Sequence, residues 1–260
     1  MTDTWNPVQY GQFRAERDRP FFDLLDLVRP RPAMRLIDLG CGTGELTRQM
    51  HQRLGARETI GLDSSAAMLA RAAAFAEPGL LFQQGDLRDH EPSAPYDLVF
   101  SNAALQWVPD HARLFERLAG WLADGGQLAV QMPAQHDQPS HLTAEEVAAE
   151  EPFRAALAGR RPGYGAGRPL LTPEGYADLL DRLGFAEQHV RLQVYPHHLA
   201  SRDAVVGWVR GSLLTDYERA LGPELFERFL ERYRARLTER LPDRRPLFMG
   251  YKRYLIWGRR

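Results

Sequence analysis

Between Leu36 and Gly44 the chain reads LIDLGCGTG, and few folds accommodate such a stretch. Leu36, Ile37 and Leu39 form an apolar run of the length of a buried strand, with Asp38 near its end. Gly40, Gly42 and Gly44 then imply a turn whose backbone comes close to a ligand or takes positive φ. A helix is expected over Glu45–Leu54, because Leu46, Met50 and Leu54 recur at i, i+4 and i+8 on one face. Strand, glycine turn and helix in this order make a nucleotide-binding βα unit; the bland alternative is a tight turn that binds nothing.

Spacing narrows the ligand. A dinucleotide fingerprint is G-x-G-x-x-G, with a pyrophosphate on the helix N-terminus. Here the spacing is G-x-G-x-G, and Glu45 stands where the third fingerprint glycine would, so a pyrophosphate would meet a carboxylate. Asp38 suits a ligand with a positive amine. S-adenosylmethionine has that amine, a sulfonium and no phosphate. Asp63 follows Gly44 at about the 20-residue offset of a ribose-binding carboxylate.

Further strands are expected at 59–62, 80–82, 96–100 and 127–132, with acids at three successive strand ends, Asp38, Asp63 and Asp86. Ser64 or Ser65 can cap the helix that carries Met68. A helix is expected from Asp110 to the Gly125-Gly126 pair, with Leu114, Phe115, Leu118, Trp121 and Leu122 on one face. In an open α/β sheet the ligand lies beyond the carboxyl ends of the strands at the switch in strand order, so Asn102 to Trp107 should border the cleft. Residues 134–171, rich in Pro, Gly and Arg, read as an inserted lid with a helix over 143–157. Thr172-Pro173 starts another helix, 190–195 alternates like a strand, 201–246 is helical, and 251–257 is the last strand.

The glycine-rich stretch resembles that of class I S-adenosylmethionine-dependent methyltransferases. Within that class, W-N-P-x-x-Y-x-x-F-x-x-E-R-x-R-P at 5–20, NAALQWVPDH at 102–111 and LAVQMP at 128–133 are similar to members that methylate trans-aconitate. The resemblance implies an α/β fold, a Rossmann-like, mostly parallel sheet with the last strand antiparallel and a helical cap insertion. It divides the chain into an arm and helix (1–30), a donor-binding domain (31–200) with the lid at 134–171, a cap (201–246) and the last strand (247–260). It implies that S-adenosylmethionine is held by Asp38, Gly40, Gly42, Gly44, Asp63, Ser64, Met68, Asp86, Leu87 and Asn102. Tyr10 and Trp107 would position the reactants. Arg17, Trp107, Trp208, Arg210 and Arg253 would meet the acceptor, a polycarboxylic acid such as trans-aconitate, giving a methyl ester.

The residues permit that chemistry without a base. A carboxylate is already ionised near neutral pH, so transfer to it asks chiefly for alignment and exclusion of water. The eight histidines are scattered without a metal-ligand set, and no metal is expected. Arginine suits carboxylates bidentately, and all basic residues except Lys252 are arginine. A net charge of −1 gives no reason to expect nucleic acid or an anionic membrane as partner. Cys41 is the only cysteine, no apolar run approaches a membrane span, and no leader follows Met1. A cytoplasmic, monomeric protein is expected. Two other readings stay open: a small-molecule O- or N-methyltransferase of secondary metabolism, and a non-catalytic protein that binds S-adenosylmethionine.

Overall fold

The computed structural model describes residues 14–134, 137–162 and 170–260, with side chains from Asp18 onward. The chain divides into two units. The first comprises residues up to Pro133, Leu170–Gln193 and Arg253–Arg260; the second comprises Ala134–Pro169 and Val194–Lys252.

The first unit is built on the βα unit legible in the sequence. Strand β1 (Arg35–Leu39) is buried along its whole length and leads through the glycine turn into α2 (Glu45–Leu54), which follows α1 (Arg14–Leu25). Then come β2 (Glu58–Asp63), α3 (Ala66–Ala72), β3 (Leu80–Gln84), β4 (Tyr96–Asn102), α4 (His111–Gly120) and β5 (Leu122–Pro133). After α5 (Pro139–Ala148) and α6 (Phe153–Leu157) of the second unit come α7 (Pro173–Arg182) and two strands whose residues fall partly in each unit, β6 (Glu187–Leu199) and β7 (Leu247–Arg259). The sheet order is β3-β2-β1-β4-β5-β7-β6. Strands β1 to β5 pair in parallel, while β7 runs antiparallel to β5. Because β1 has β2 on one side and β4 on the other, successive crossovers leave in opposite directions and open a crevice at its carboxyl end.

Period-two alternation sorts the side chains between two faces. One face carries Leu36, Leu98, Phe100, Ala129, Leu255 and Trp257, packed with Phe21, Leu24 and Leu25 of α1 and Met50 and Leu54 of α2. Phe21 meets Phe100 at 5.0 Å between ring centroids. The opposite face is covered by α4 and α7, where Tyr176 lies 5.4 Å from Phe115 and 5.7 Å from Tyr254. The direction of α1 is set by its ends. Just past it, Arg29 N–H donates at 2.8 Å to Gln127 Oε1, level with Leu98 near the start of β4, whereas Phe21 packs on Phe100 nearer the end of that strand. The first turn of α1, with Arg17, therefore lies toward the carboxyl ends of the strands.

The second unit contains α5 (Pro139–Ala148), α6 (Phe153–Leu157), α8 (Arg202–Arg210), α9 (Leu213–Leu221) and α10 (Pro223–Arg240). Its core stacks Tyr217, Phe226, Phe229 and Tyr233, and Tyr233 Oη donates to the Ser140 carbonyl at 3.2 Å. No helix among the described residues is long and apolar enough to cross a membrane.

Three boundaries differ from the sequence reading. The helix from Asp110 stops at Gly120, not at Gly125-Gly126, because Tyr96 N–H bonds the Trp121 carbonyl and Leu122 already pairs with Tyr96. The single helix expected over 143–157 is two, with Pro152 at the break; a proline there supplies no N–H to continue the ladder. Strands β6 and β7 are each 13 residues long, well beyond the alternating cores seen in the sequence.

Gln127 ties the helix exit to the sheet. Its Oε1 also accepts from Trp257 Nε1 at 3.0 Å, and its Nε2 donates to the Arg29 carbonyl at 2.8 Å. Gln127→Leu leaves these groups without their partner and should lower unfolding stability by roughly 2–4 kcal/mol in urea melts.

Candidate active site

The site is built outward from the glycine turn. Gly40 and Cys41 both donate their N–H to the Leu62 carbonyl, at 2.8 and 3.1 Å, locking the turn to β2. Gly40 has φ +79°, and a Cβ there would stand 2.3 Å from Ala104 Cβ, so the loop after β4 leaves no space for a side chain. Gly42 is different. Its φ is +57°, yet a Cβ added there meets nothing within 4 Å, so the turn faces open space at this point. Gly42 N–H donates to Asp63 Oδ2 at 2.8 Å, and Ser65 N–H to Asp63 Oδ1 at 2.9 Å, which sets the Asp63 carboxylate beside the turn.

Asp38 is only 3% exposed. Thr47 Oγ1 from α2 donates to Asp38 Oδ2 at 2.6 Å, and no cation pairs with the carboxylate among the described residues. Burial pushes its pKa up to about 7; the Thr47 bond opposes the rise and the nearby Asp63 charge adds to it. A buried carboxylate short of a cation, next to an open turn, fits a donor that carries an ammonium group.

Around this centre, Ser65 rather than Ser64 caps α3, its Oγ accepting from Met68 N–H at 3.2 Å. Ser64 is exposed at the end of β2, and Met68 is buried. Asp86 is held by Arg88, whose Nε lies 2.9 Å from Oδ1; that contact keeps its carboxyl below the usual range. Arg117 of α4 donates to the Leu87 carbonyl at 3.1 Å and clasps the carbonyls of Arg88 and His90. A cavity of about 430 Å³ adjoins this connection, lined by Ile60, Leu62, Asp86, His90 and Tyr96 among others; of the expected donor residues it touches Asp86 alone.

The loop after β4 is strained and tightly braced. Ala103 sits at φ 56°, a left-handed conformation uncommon for a residue with a side chain. Its N–H donates to the Gln131 carbonyl at 2.9 Å, and its carbonyl accepts from Gln106 Nε2 at 2.7 Å. His111 Nε2 donates to the Leu105 carbonyl at 3.1 Å, while Tyr176 Oη donates to His111 Nδ1 at 2.7 Å. Burial lowers the pKa of His111, so the neutral ring that this pairing requires is favoured. Asn102 and Trp107 are thus presented at the carboxyl edge on a fixed backbone.

The residues expected to meet the acceptor are distributed unevenly. Arg253 is 5% exposed and stands opposite Pro133 at the end of β5. Arg17 lies in the first turn of α1. Tyr10 and the side chain of Arg17 lie outside the described residues. Trp208 belongs to the second unit, buried with His197 and Tyr251 at 5.1 and 5.4 Å. Arg210, in the same unit, is exposed and pairs with Glu227 at 3.5 Å. Thr47 and Gln131 escaped the sequence reading. Gln131 left a signal, being the polar residue within the apolar strand LAVQMP.

Among the described residues there is no group of three or more His, Cys, Asp or Glu side chains that could hold a metal ion. The parallel sheet, its glycine turn and the acids beside it are those of a class I S-adenosylmethionine-dependent methyltransferase. A methyltransferase-domain family model matches residues 13–190. The chain is 45% identical over 255 residues to trans-aconitate 2-methyltransferase of Deinococcus radiodurans, covering 97% of each chain. It is 37% identical to the Escherichia coli protein of the same name, covering 100% of this chain and 99% of that one. This chain belongs to the trans-aconitate 2-methyltransferase family. Among solved structures, the YcgJ protein of Bacillus shares the fold at TM-score 0.62 and 17% identity, covering 94% of this chain and 98% of that one.

Two outcomes follow. Gly42→Ala should weaken binding of S-adenosylhomocysteine at least tenfold in calorimetry, while the strained φ costs about 1 kcal/mol of stability. Asp38 holds in the folded chain a proton that the unfolded chain releases near pH 4, so its contribution to stability falls as pH rises from about 4 to 7. Asp38→Asn removes that penalty. Its melting temperature relative to the parent should climb between pH 4 and 7 and level off above. The parent's affinity for S-adenosylhomocysteine should rise with pH up to about 7 and level off above, and the variant's should be weaker and flat.

Proposed function

We propose that this enzyme transfers the methyl group of S-adenosylmethionine to one carboxylate of trans-aconitate or a close polycarboxylate, giving a monomethyl ester. The observation that carries the reading is the match to trans-aconitate 2-methyltransferase over 97% of both chains at 45% identity. In that reading the donor lies across the carboxyl end of β1. Asp38 faces its ammonium group, Asp63 and Ser64 its ribose, Met68, Asp86 and Leu87 its adenine, and Asn102 its methionine end. The bound donor supplies an electrophilic methyl, so a carboxylate oxygen forms the new C–O bond as the C–S bond breaks and the sulfur keeps the electron pair.

The chain's own task is alignment and charge. The acceptor arrives ionised, so no side chain has to remove a proton. Arg253, a buried cation beside the end of β5, holds a carboxylate that does not react. Trp107, on the braced backbone after β4, flanks the transferring methyl.

Purified protein with isotopically labelled donor should convert trans-aconitate to a product heavier by one methyl group, identified as the ester by mass. Arg253→Met should raise the acceptor KM by about tenfold or more and leave donor affinity within about twofold. Methyl transfer to amines or phenols, with none to trans-aconitate, citrate or related acids, would overturn the acceptor assignment and leave the donor site standing.

A further inference from the structure

At the carboxyl end of β5 the side chain of Gln131 is fully buried, yet neither its Nε2 nor its Oε1 has a hydrogen-bond partner among the described residues. Leaving a primary amide in that condition is costly unless something satisfies it. Its neighbour in the ladder repeats the pattern. Asn102 pairs with Gln131 in register on β4, and Asn102 Oδ1 is also buried without a partner. Two amides side by side could satisfy one another, Nε2 of one to Oδ1 of the other. They do not, and Gln131 is left with its whole carboxamide unused.

Three observations say where a partner for it would lie. First, in-register partners share a face, which puts Asn102, Gln131 and Leu255 together on the α1 face, and two residues further along β7 that face carries Arg253. Arg253 is opposite Pro133 and thus diagonal to Gln131, within reach for side chains of this length. Second, the first turn of α1 is directed to the same end of the sheet. Third, Gln131 lies two strands from β1, on the side away from β2 and Asp63. At about 4.8 Å per strand this is nearly 10 Å from the glycine turn, room enough for a second reactant beside the donor. The backbone at this residue is already committed, since its carbonyl braces strained Ala103. Only the carboxamide remains to be used.

We infer that Gln131 is an acceptor-recognition residue: its Nε2 donates to a non-reacting carboxylate of the bound acid, on the same face of the sheet as Arg253, with the Asn102 amide alongside. This deepens the proposed function and rests on its assignment of a polycarboxylate acceptor. Arg253 supplies charge; the amide supplies direction, because a hydrogen bond from a fixed carboxamide discriminates between carboxylate positions that a nearby cation attracts equally. An unused amide also rejects an acid lacking the matching carboxylate, since its polar atoms then stay unpaired on binding.

Gln131→Leu and Gln131→Glu test this against the parent enzyme. Donor affinity is read by calorimetry with S-adenosylhomocysteine, and steady-state kinetics are read with trans-aconitate and with a dicarboxylate lacking one of its carboxylates. Gln131→Leu should raise the trans-aconitate KM by about 10- to 100-fold, leave donor affinity within about twofold, and shrink the preference for the tricarboxylate. Gln131→Glu should be worse at pH 8 and recover as the pH falls and the new carboxyl is protonated, a profile that a purely structural amide would not produce. An unchanged acceptor KM in a folded Gln131→Leu enzyme would overturn the inference, and so would a loss confined to donor affinity. If Gln131→Leu does not fold, the pH profile of Gln131→Glu decides, and a flat profile overturns it. Parent enzyme that methylates no carboxylic acid brings down the acceptor reading and this inference together. Parent enzyme that turns over trans-aconitate beside an indifferent Gln131→Leu brings down this inference alone.

Discussion

Where the chain leaves β1, it passes so close to the loop after β4 that a single methyl group on Gly40 would have no place to go. The rest of the site depends on that contact. It holds the two loops flanking the switch in strand order at a fixed separation, and the crevice between them is what an open α/β sheet offers a ligand. The Leu62 carbonyl anchors the turn from the β2 side, and the strained Ala103 anchors it from the β4 side, braced in turn by Gln131, Gln106 and, through Leu105, the His111–Tyr176 pair. Backbone strain of this kind persists only where the surroundings over-determine it.

Charge is distributed along the same edge in a way that suits two reactants of opposite sign. Asp38 and Arg253 are both buried and share one face of the sheet, on β1 and β7, with β4 and β5 between them. The carboxylate is costly to ionise where it sits, as its raised pKa records, so a cationic donor relieves a penalty already present in the folded chain. Asp38 thus costs the fold stability once it is ionised, a compromise common where binding groups are buried.

Helices and strands with strong periodicity were legible because burial on one face imposes the pattern. The helix over Glu45–Leu54 has the expected bounds, and Thr172 caps α7 through Gly175 N–H. Ends were less legible where partners distant in sequence decide them. Tyr96 draws Trp121 out of α4, and β7 extends along its neighbours past its apolar core. The second unit gathers 134–169 with 194–252, two stretches that local pattern leaves separate.

By itself the sequence determined the glycine turn and the acids beside it. Gly40, Gly42, Gly44, Asp38 and Asp63 announce it because backbone conformation and close approach restrict which residues a tight βα turn accepts, and that restriction is local. Tertiary structure alone decided what those residues experience. Asp38 becomes a buried acid through the helix packed over it, Asp63 meets the turn through Gly42 N–H, and Gln131 is buried without a hydrogen-bond partner between β4 and β7. Desolvation and the absence of a partner belong to the surroundings of a side chain, and those surroundings come from strands up to 124 positions away in the chain, the separation of Leu255 from Gln131.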